Sequence, residues 1–343
     1  FPPRIQYTPM IRIAINGFGR IGRLVFRRAF QDKSIQVVAI NDLSGPEMLA
    51  YLLKYDTVHG PFPGTVKSKK DALIINGKGV KVFVEDDLNQ LPWGKLKVDV
   101  VVESTGKFRK REDLELHLKD GAKKVLLSAA GKGEDKIKTI VLGVNDHTYS
   151  HEPIVSNASC TTNCFAPMAK LLNDAYGILD GVMTTIHSYT NDQRVLDTPH
   201  KDFRRARGAA SNIIPTSTGA SEAIGDVIPE LKGKILGSAF RVPTPDGSVC
   251  YFAATVGKRK NPAGKDAVNS IFKAAAMGKM KGILEYSEDP LVSSDVIGNS
   301  HSCLFDSRLT EVMGNHFVVV GWYDNEWGYS CRMVDLVKLM MGR

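Results

Sequence analysis

Met10 to Asn16 (Met-Ile-Arg-Ile-Ala-Ile-Asn) is an apolar run that leads directly into Gly17-Phe18-Gly19-Arg20-Ile21-Gly22. The run reads as a buried strand. A helical pattern follows with Leu24, Val25, Phe26 and Phe30, and Ile35 to Ile40 reads as a second strand ending in Asn41-Asp42. A lone GxGxxG occurs in many turns. Between a strand and a helix, with an acid twenty residues beyond Gly22, it constrains the fold far more. Gly17 permits the tight turn, Gly19 lets backbone approach a pyrophosphate, and Gly22 lets the helix pack close to the strand. The helix N-terminus supplies an anion site. Asp42 is placed to accept hydrogen bonds from ribose hydroxyls and would repel a 2′-phosphate. No Arg follows it in Leu43-Ser44-Gly45, so the expected cofactor is NAD rather than NADP.

Alternating elements continue beyond this start. Residues 46–56 read as a helix, Ala72–Ile75 and Val80–Val84 as a hairpin around Asn76-Gly77, and Val98–Val102 as a continuous apolar strand. Arg111–Lys119 reads as a helix, and Val125–Ala129 and Thr139–Val144 as strands. This alternation predicts a mostly parallel sheet, whose ligands collect at the carboxyl ends of the strands. Asn16, Asp42, Ser104, Thr105, Ser128 and Cys160 all fall at or just after such ends.

The second half of the chain is organised around Ser156-Asn157-Ala158-Ser159-Cys160-Thr161-Thr162-Asn163-Cys164. A hydrophobic run feeds into this polar segment and a helical pattern leaves it over 165–176. A cysteine at a strand-to-helix junction sits near free N–H groups, where the dipole favours thiolate. A buried structural cysteine at a helix cap would look the same in this nonapeptide alone. Gly181–Tyr189 reads as a strand ending in His187-Ser188-Tyr189-Thr190, followed by a long polar, basic loop from Asn191 to Asn212. Helices are expected over 219–230 and 264–277. Strands are expected over Leu236–Val242, Val249–Val256 and Phe317–Tyr323, with a closing amphipathic helix over Glu326–Met341. Longer connections among these strands suit an α+β domain with an antiparallel or mixed sheet.

Composition narrows the class of protein. With 343 residues the chain is long enough for two domains, and no run approaches the ~18 uninterrupted apolar residues of a membrane helix. Five thinly spread cysteines argue against a disulfide framework and for a reducing compartment. Cys160 and Cys164 have no second Cys or His pair at zinc spacing, so no metal site is expected. The net charge of +8 comes from scattered basic residues, with one dense cluster at Lys201, Arg204, Arg205 and Arg207. No aromatic-interleaved basic stripe accompanies it, which disfavours nucleic acid as the primary partner and suits anionic metabolites. Residues 1–9, with three prolines, read as a short leader or a cloning remnant ahead of Met10.

Taken together, several segments resemble the phosphorylating glyceraldehyde-3-phosphate dehydrogenases. They are Ile15 to Arg23, Ser156 to Cys164, His187 to Thr190, Ile214 to Gly219, Arg241 to Thr244 and Trp322 to Tyr329, and the likeness runs from Met10 to the last helix. The resemblance implies an α/β chain with a Rossmann NAD-binding domain over 10–159, completed by the helix over 324–343. It implies an α+β catalytic domain over 160–323, a cytoplasmic homotetramer, and glyceraldehyde 3-phosphate and inorganic phosphate as substrates. Carried over residue by residue, it makes Cys160 the nucleophile and His187 its base. Asn16, Gly17, Gly19, Arg20, Ile21, Asp42, Ser128 and Asn325 become cofactor contacts. Thr190 and Arg241 become one anion site and Ser159, Thr161, Thr218 and Gly219 the other, with Arg205 in support. The implied reaction passes through a thioester on Cys160 to 1,3-bisphosphoglycerate. Asp86, where many relatives carry a basic residue near the adenine, and Thr198, where NAD-specific bacterial relatives usually carry Leu, depart from the pattern. Erythrose-4-phosphate dehydrogenase shares the Cys and His but hydrolyses the thioester. A surface adhesin or nucleic-acid binder on the same scaffold is the rival from another class.

Overall fold

A computed structural model describes residues 9–257 and 264–343. The leader expected at residues 1–9 lies, up to residue 8, outside the described residues. The chain divides into two compact units. The first contains the residues up to Lys138, His151–Ser156 and Met333–Arg343; the second contains Thr139–Ser150 and Asn157–Arg332.

In the first unit, β1 (Ile11–Asn16) is followed by α1 (Arg20–Phe30), β2 (Ile35–Asn41) and α2 (Pro46–Lys54). The strands β3 (Val66–Lys69), β4 (Ala72–Ile75) and β5 (Lys78–Phe83) come next, then β6 (Val100–Glu103), α3 (Arg111–Lys119), β7 (Lys124–Leu127), β8 (Lys138–Thr139) and β9 (Ile154–Ser156). They form one sheet in the order β3-β4-β5-β2-β1-β6-β7-β9-β8. From β5 across to β9 each neighbouring pair is parallel. Parallel strands covered on both faces must be apolar throughout, and Ile13, Ala14, Ile15, Val100, Val101 and Val102 are all fully buried. The chain leaves β1 for β2 on one side and returns to β6 on the other. The carboxyl end of β1 is therefore the switch point where such sheets open a crevice. At the sheet edge, Asn76 and Gly77 take φ of 47° and 80°, the left-handed pair that a two-residue hairpin turn requires.

The strand expected over Thr139–Val144 is not formed beyond Thr139. Gly143 turns the chain with φ of 78°, and the Asn145 side chain closes the loop. Its Oδ1 accepts from Val141 N at 2.8 Å, and its Nδ2 donates to Thr139 O at 2.9 Å. Local side-chain hydrogen bonds have displaced the ladder.

The second unit begins its long helix, α4 (Cys160–Tyr176), five residues earlier than its apolar pattern suggests. An eight-stranded mixed sheet covers it: β10 (Ile178–Ser188), β11 (Ile214–Thr216), β12 (Ile235–Val242), β13 (Ser248–Val256), β14 (Leu284–Ser287), β15 (Cys303–Asp306), β16 (Glu311–Met313) and β17 (His316–Tyr323). Two shorter helices, α5 (Ala220–Val227) and α6 (Lys265–Met277), complete the unit. Phe165 of α4 packs edge-on against Phe252 of β13 at 4.8 Å, and Tyr176 against Phe317 of β17 at 4.9 Å. These aromatic pairs fix the helix over the sheet. The last helix, α7 (Trp327–Met340), belongs to the second unit up to Arg332 and to the first from Met333. Its final turn is tied within the first unit by Lys338 Nζ to Asp32 at 3.1 Å and by Lys124 Nζ to the Met340 carbonyl at 2.8 Å. No helix among the described residues is long and apolar enough to cross a membrane.

Candidate active site

The first unit carries a groove of about 310 Å³ at the switch point, lined by Asn16, Gly17, Gly19, Asp42, Ser104 and Thr105 among others. Gly17 has φ of 88°, and a Cβ on it would stand 2.6 Å from Thr105 N, so only glycine lets these two strand ends meet. A Cβ on Gly22 would run into the Gly17 carbonyl, whereas one on Gly19 would meet nothing within 4 Å. Gly19 therefore borders open space. It is also the N-cap of α1, and no side chain caps that helix, which leaves its dipole end available to an anion. This is a cradle of pyrophosphate size, and the residues present fit a dinucleotide.

Two predicted cofactor residues are partly occupied by the fold. Asn16 donates through Nδ2 to Glu103 Oε2 at 2.5 Å and accepts from Asn41 Nδ2 at 2.7 Å. The Arg20 guanidinium pairs with Asp56 at 2.6 Å; burial pushes the Asp56 carboxyl up, but the His59 N–H and then this guanidinium bring it down to about 2. Asp42 accepts from Phe18 N at 2.8 Å and Ser44 N at 2.9 Å and lines the groove, so its carboxylate is fixed by the glycine turn itself. Ser128 follows β7, where its N–H donates to the Glu103 carbonyl at 2.9 Å. Glu103, which the sequence did not single out, is fully buried and also accepts from Thr105 N at 2.9 Å and from His117.

In the second unit the chain enters α4 through Ala158, whose φ of 54° is unusual for a residue with a side chain. Such a conformation costs about 1 kcal/mol or more and persists only where surroundings enforce it. Here Ala158 is fully buried and its carbonyl accepts from the Tyr329 hydroxyl at 3.1 Å. Ser159 caps the helix by accepting from Thr162 N at 3.0 Å. Cys160 is thereby the first helical residue, with its Sγ 3.4 Å from His187 Nε2. His187 stands one residue from the end of β10, and β12 runs parallel beside it with His187 and Arg241 in register. Register partners on parallel strands project to one face, and Arg241 Nη1 lies 2.8 Å from His187 Nδ1.

Burial is the largest influence on the titration of both members of the pair. Burial pushes the Cys160 thiol up, with Arg241 and the Thr161 N–H pulling it back. Burial and then the Arg241 charge push His187 down to about 3.

The remaining predicted residues are distributed around this dyad or tied elsewhere. Thr161 is buried, its hydroxyl 2.9 Å from that of Tyr323. Tyr323 also reaches the Thr185 hydroxyl at 2.8 Å and meets the His187 ring edge-on at 5.9 Å. Sequence reasoning missed this positioning contact. Asn325 Oδ1 accepts from Ser188 Oγ at 2.9 Å and Ser248 Oγ at 2.6 Å, which leaves its amide nitrogen to donate. Thr190 N donates to Gln193 Oε1 at 3.2 Å. Thr218 and Gly219 precede α5, with Thr218 Oγ1 accepting from Ala220 N at 3.2 Å. Arg205 bonds Thr216 Oγ1 at 2.7 Å and pairs with Asp192, so its charge is already balanced.

Comparison with known proteins identifies the family. Residues 11–111 match the NAD binding domain of glyceraldehyde 3-phosphate dehydrogenase, and residues 159–325 match its C-terminal domain. Glyceraldehyde-3-phosphate dehydrogenase 2 of Streptomyces avermitilis is 54% identical over 330 residues, 95% of this chain and 97% of the relative. The enzyme of Geobacillus stearothermophilus is 54% identical over 336 residues, 97% and 99% of the two chains. That of Borreliella burgdorferi is 52% identical over 339 residues, 96% and 100%. The chain belongs to the glyceraldehyde-3-phosphate dehydrogenase family.

Proposed function

We propose that the protein oxidises and phosphorylates glyceraldehyde 3-phosphate to 1,3-bisphosphoglycerate with NAD, as a glycolytic and gluconeogenic oxidoreductase. The observation that carries this reading is the Cys160–His187 contact of 3.4 Å at the start of α4, with Arg241 beside it. Cys160 passes its proton to His187 Nε2 and attacks the aldehyde carbon, giving a hemithioacetal. The helix-start N–H groups stabilise the developing oxyanion. His187 returns the thiol proton to that oxyanion, giving the hemithioacetal hydroxyl, and takes it back as the hemithioacetal is oxidised to a thioester. NAD, when bound, supplies the hydride acceptor for that oxidation. Inorganic phosphate attacks the thioester carbonyl, and Cys160 leaves as thiolate.

In this reading Arg241 and Thr190 hold the substrate's own phosphate. Ser159, Thr161, Thr218 and Gly219 receive the attacking phosphate, and Arg205 supports them from its place against Thr216. Arg suits the work because its planar fork holds oxyanions bidentately. Gly17, Gly19, Arg20 and Ile21 meet the pyrophosphate through backbone, Asp42 the ribose, and Asn325 the nicotinamide carboxamide. Asn16 and Ser128 border the same cofactor from the strand ends.

A homotetramer is part of the proposal. Its support is the apolar surface of the loop after β10, where Val195, Leu196 and Phe203 are 78%, 77% and 89% exposed. Side chains of that kind grouped on one loop mark a subunit contact. Five free cysteines support a cytoplasmic setting.

The test is NADH formation from glyceraldehyde 3-phosphate with and without inorganic phosphate. Turnover that requires phosphate or arsenate is expected. Undiminished turnover without either means that water resolves the thioester, and favours erythrose 4-phosphate as substrate.

A further inference from the structure

Two chains of hydrogen bonds meet on Glu103 in the first unit. One starts at the Trp93 indole, whose N–H donates to His117 Nδ1 at 3.0 Å; His117 Nε2 in turn lies 3.2 Å from Glu103 Oε2. The other starts at the Glu85 N–H, which donates to Asn41 Oδ1 at 3.0 Å. Asn41 Nδ2 donates to Asn16 Oδ1 at 2.7 Å, and Asn16 Nδ2 to Glu103 Oε2 at 2.5 Å. Together they cross the carboxyl ends of the neighbouring strands β5, β2, β1 and β6, the side of a parallel sheet where ligands collect. Trp93, His117, Glu103, Asn16 and Asn41 are all buried, so a mispaired polar group here is costly.

The direction of each chain is fixed at its outer end, because an indole N–H and a backbone N–H can only donate. Trp93 therefore finds an unprotonated Nδ1 on His117, and the ring proton sits on Nε2, toward Glu103. The Glu85 N–H turns the Asn41 oxygen toward itself, and the Glu85 carbonyl reinforces this by accepting from Asn41 Nδ2 at 2.9 Å. Asn41 then orients Asn16 with its amide nitrogen toward Glu103. Donor chains that run inward from both sides close on a group that accepts from each, which a carboxylate does. Its second oxygen, Oε1, accepts from Thr105 N at 2.9 Å and from the Thr105 hydroxyl. Thr105 and Asn16 line the dinucleotide crevice, and Thr105 N is the atom nearest a Cβ placed on Gly17.

We propose that Glu103 is a positioning residue for the dinucleotide, setting Asn16 through one carboxylate oxygen and Thr105 through the other. This rests on NAD occupying the crevice that those two residues line. Glu103 acts through them and is itself sealed beneath, fully buried. Glu103→Gln keeps the size of the side chain and removes one acceptor. Turned one way, its amide nitrogen faces the Thr105 N–H; turned the other way, it faces the donors of Asn16 and His117. Neither Asn16 nor His117 can reverse without setting two donors against each other further along its chain.

The experiment titrates NAD calorimetrically into the intact unmodified enzyme, Glu103→Gln, Thr105→Val and the double variant, with folding checked by circular dichroism. Glu103→Gln is expected to raise the Kd for NAD at least tenfold, and in steady-state turnover the loss falls on KM for NAD rather than on kcat. The double variant should lose much less than the product of the two single losses, because both changes act on one contact. Asn41→Leu breaks the second chain before it reaches Asn16 and should raise the Kd at least threefold; it carries the test if Glu103→Gln does not fold. Unchanged affinity in folded Glu103→Gln or in Asn41→Leu overturns the proposal, as do single losses that multiply in the double variant. The unmodified enzyme separates the two readings: tight binding there with unchanged binding in the variants leaves the NAD site standing and removes Glu103 from its support.

Discussion

Cys160 Sγ and His187 Nε2 lie 3.4 Å apart, although 27 residues separate them along the chain. The contact exists because α4 starts one residue after a capped, left-handed turn and β10 returns beneath that start. Cys160 alone among the five cysteines combines partial exposure with a base at hand; Cys164, Cys250, Cys303 and Cys331 are buried. Burial pushes Cys164 and Cys250 well above the usual thiol range, Cys164 further through its neighbour Cys303. Substoichiometric iodoacetamide should therefore label Cys160 first and abolish activity in proportion, as read by peptide mass mapping. Label concentrated on another cysteine with activity retained removes Cys160 from the nucleophile's role.

The cofactor preference should follow from Asp42. Its carboxylate is locked by Phe18 N and Ser44 N, so it cannot easily swing away from a 2′-phosphate. NAD should exceed NADP by at least tenfold in kcat/KM, which is about 1.4 kcal/mol. Asp42→Gly should narrow the ratio. Equal efficiency with both cofactors in the unmodified enzyme shows that Thr198 or a rearranged loop offsets the repulsion.

Arg241→Ala should cost at least tenfold in kcat/KM with glyceraldehyde 3-phosphate, since a charged hydrogen bond contributes about 1.5–3 kcal/mol. The loss should be far smaller with unphosphorylated glyceraldehyde, which leaves the guanidinium nothing to hold. Equal losses on both aldehydes exclude Arg241 from the substrate-phosphate site.

Asp246 supplies a prediction about stability. It is fully buried against Asp324, whose carboxylate accepts from Gly298, Glu326 and Trp327 N–H groups. Burial and then the Asp324 charge push Asp246 up to about 9. The folded state thus keeps a proton that the unfolded chain releases near 3.8, so stability falls as pH rises from there to about 9. His187 acts in the opposite sense, costing stability as pH drops from 6.5 toward about 3. Asp246→Asn keeps a donor toward Asp324 without an ionisation. It should flatten the decline above pH 6.5, removing on the order of 2 kcal/mol of loss between pH 6.5 and 8. An unchanged slope in denaturant titrations across that range counts against a proton held on Asp246.

Much of this was legible in the sequence, for reasons that differ by site. Gly17 and Gly22 announced the first unit because backbone approach admits no substitute there. Cys160, His187 and Arg241 were legible as a set only through their family resemblance, since their meeting depends on the β10–β12 register. Tyr323 gave no signal: a tyrosine ending an apolar strand looks like core until Thr161 and Thr185 are found at its hydroxyl. The ion pairs that occupy Arg20 and Arg205 were equally hidden, because Asp56 and Asp192 reach them through loop geometry rather than through spacing. Short polar strands such as β14 and β16 lack the alternation that would expose them.

The covalent intermediate tests the central claim most directly. The enzyme is mixed with NAD and glyceraldehyde 3-phosphate in the absence of phosphate, quenched in acid within one turnover, digested, and analysed by mass spectrometry. The account predicts a 3-phosphoglyceroyl group on Cys160, close to one per active site, that disappears when phosphate is added before the quench. NADH formation with no acyl group on Cys160, or with the group on another residue, contradicts it.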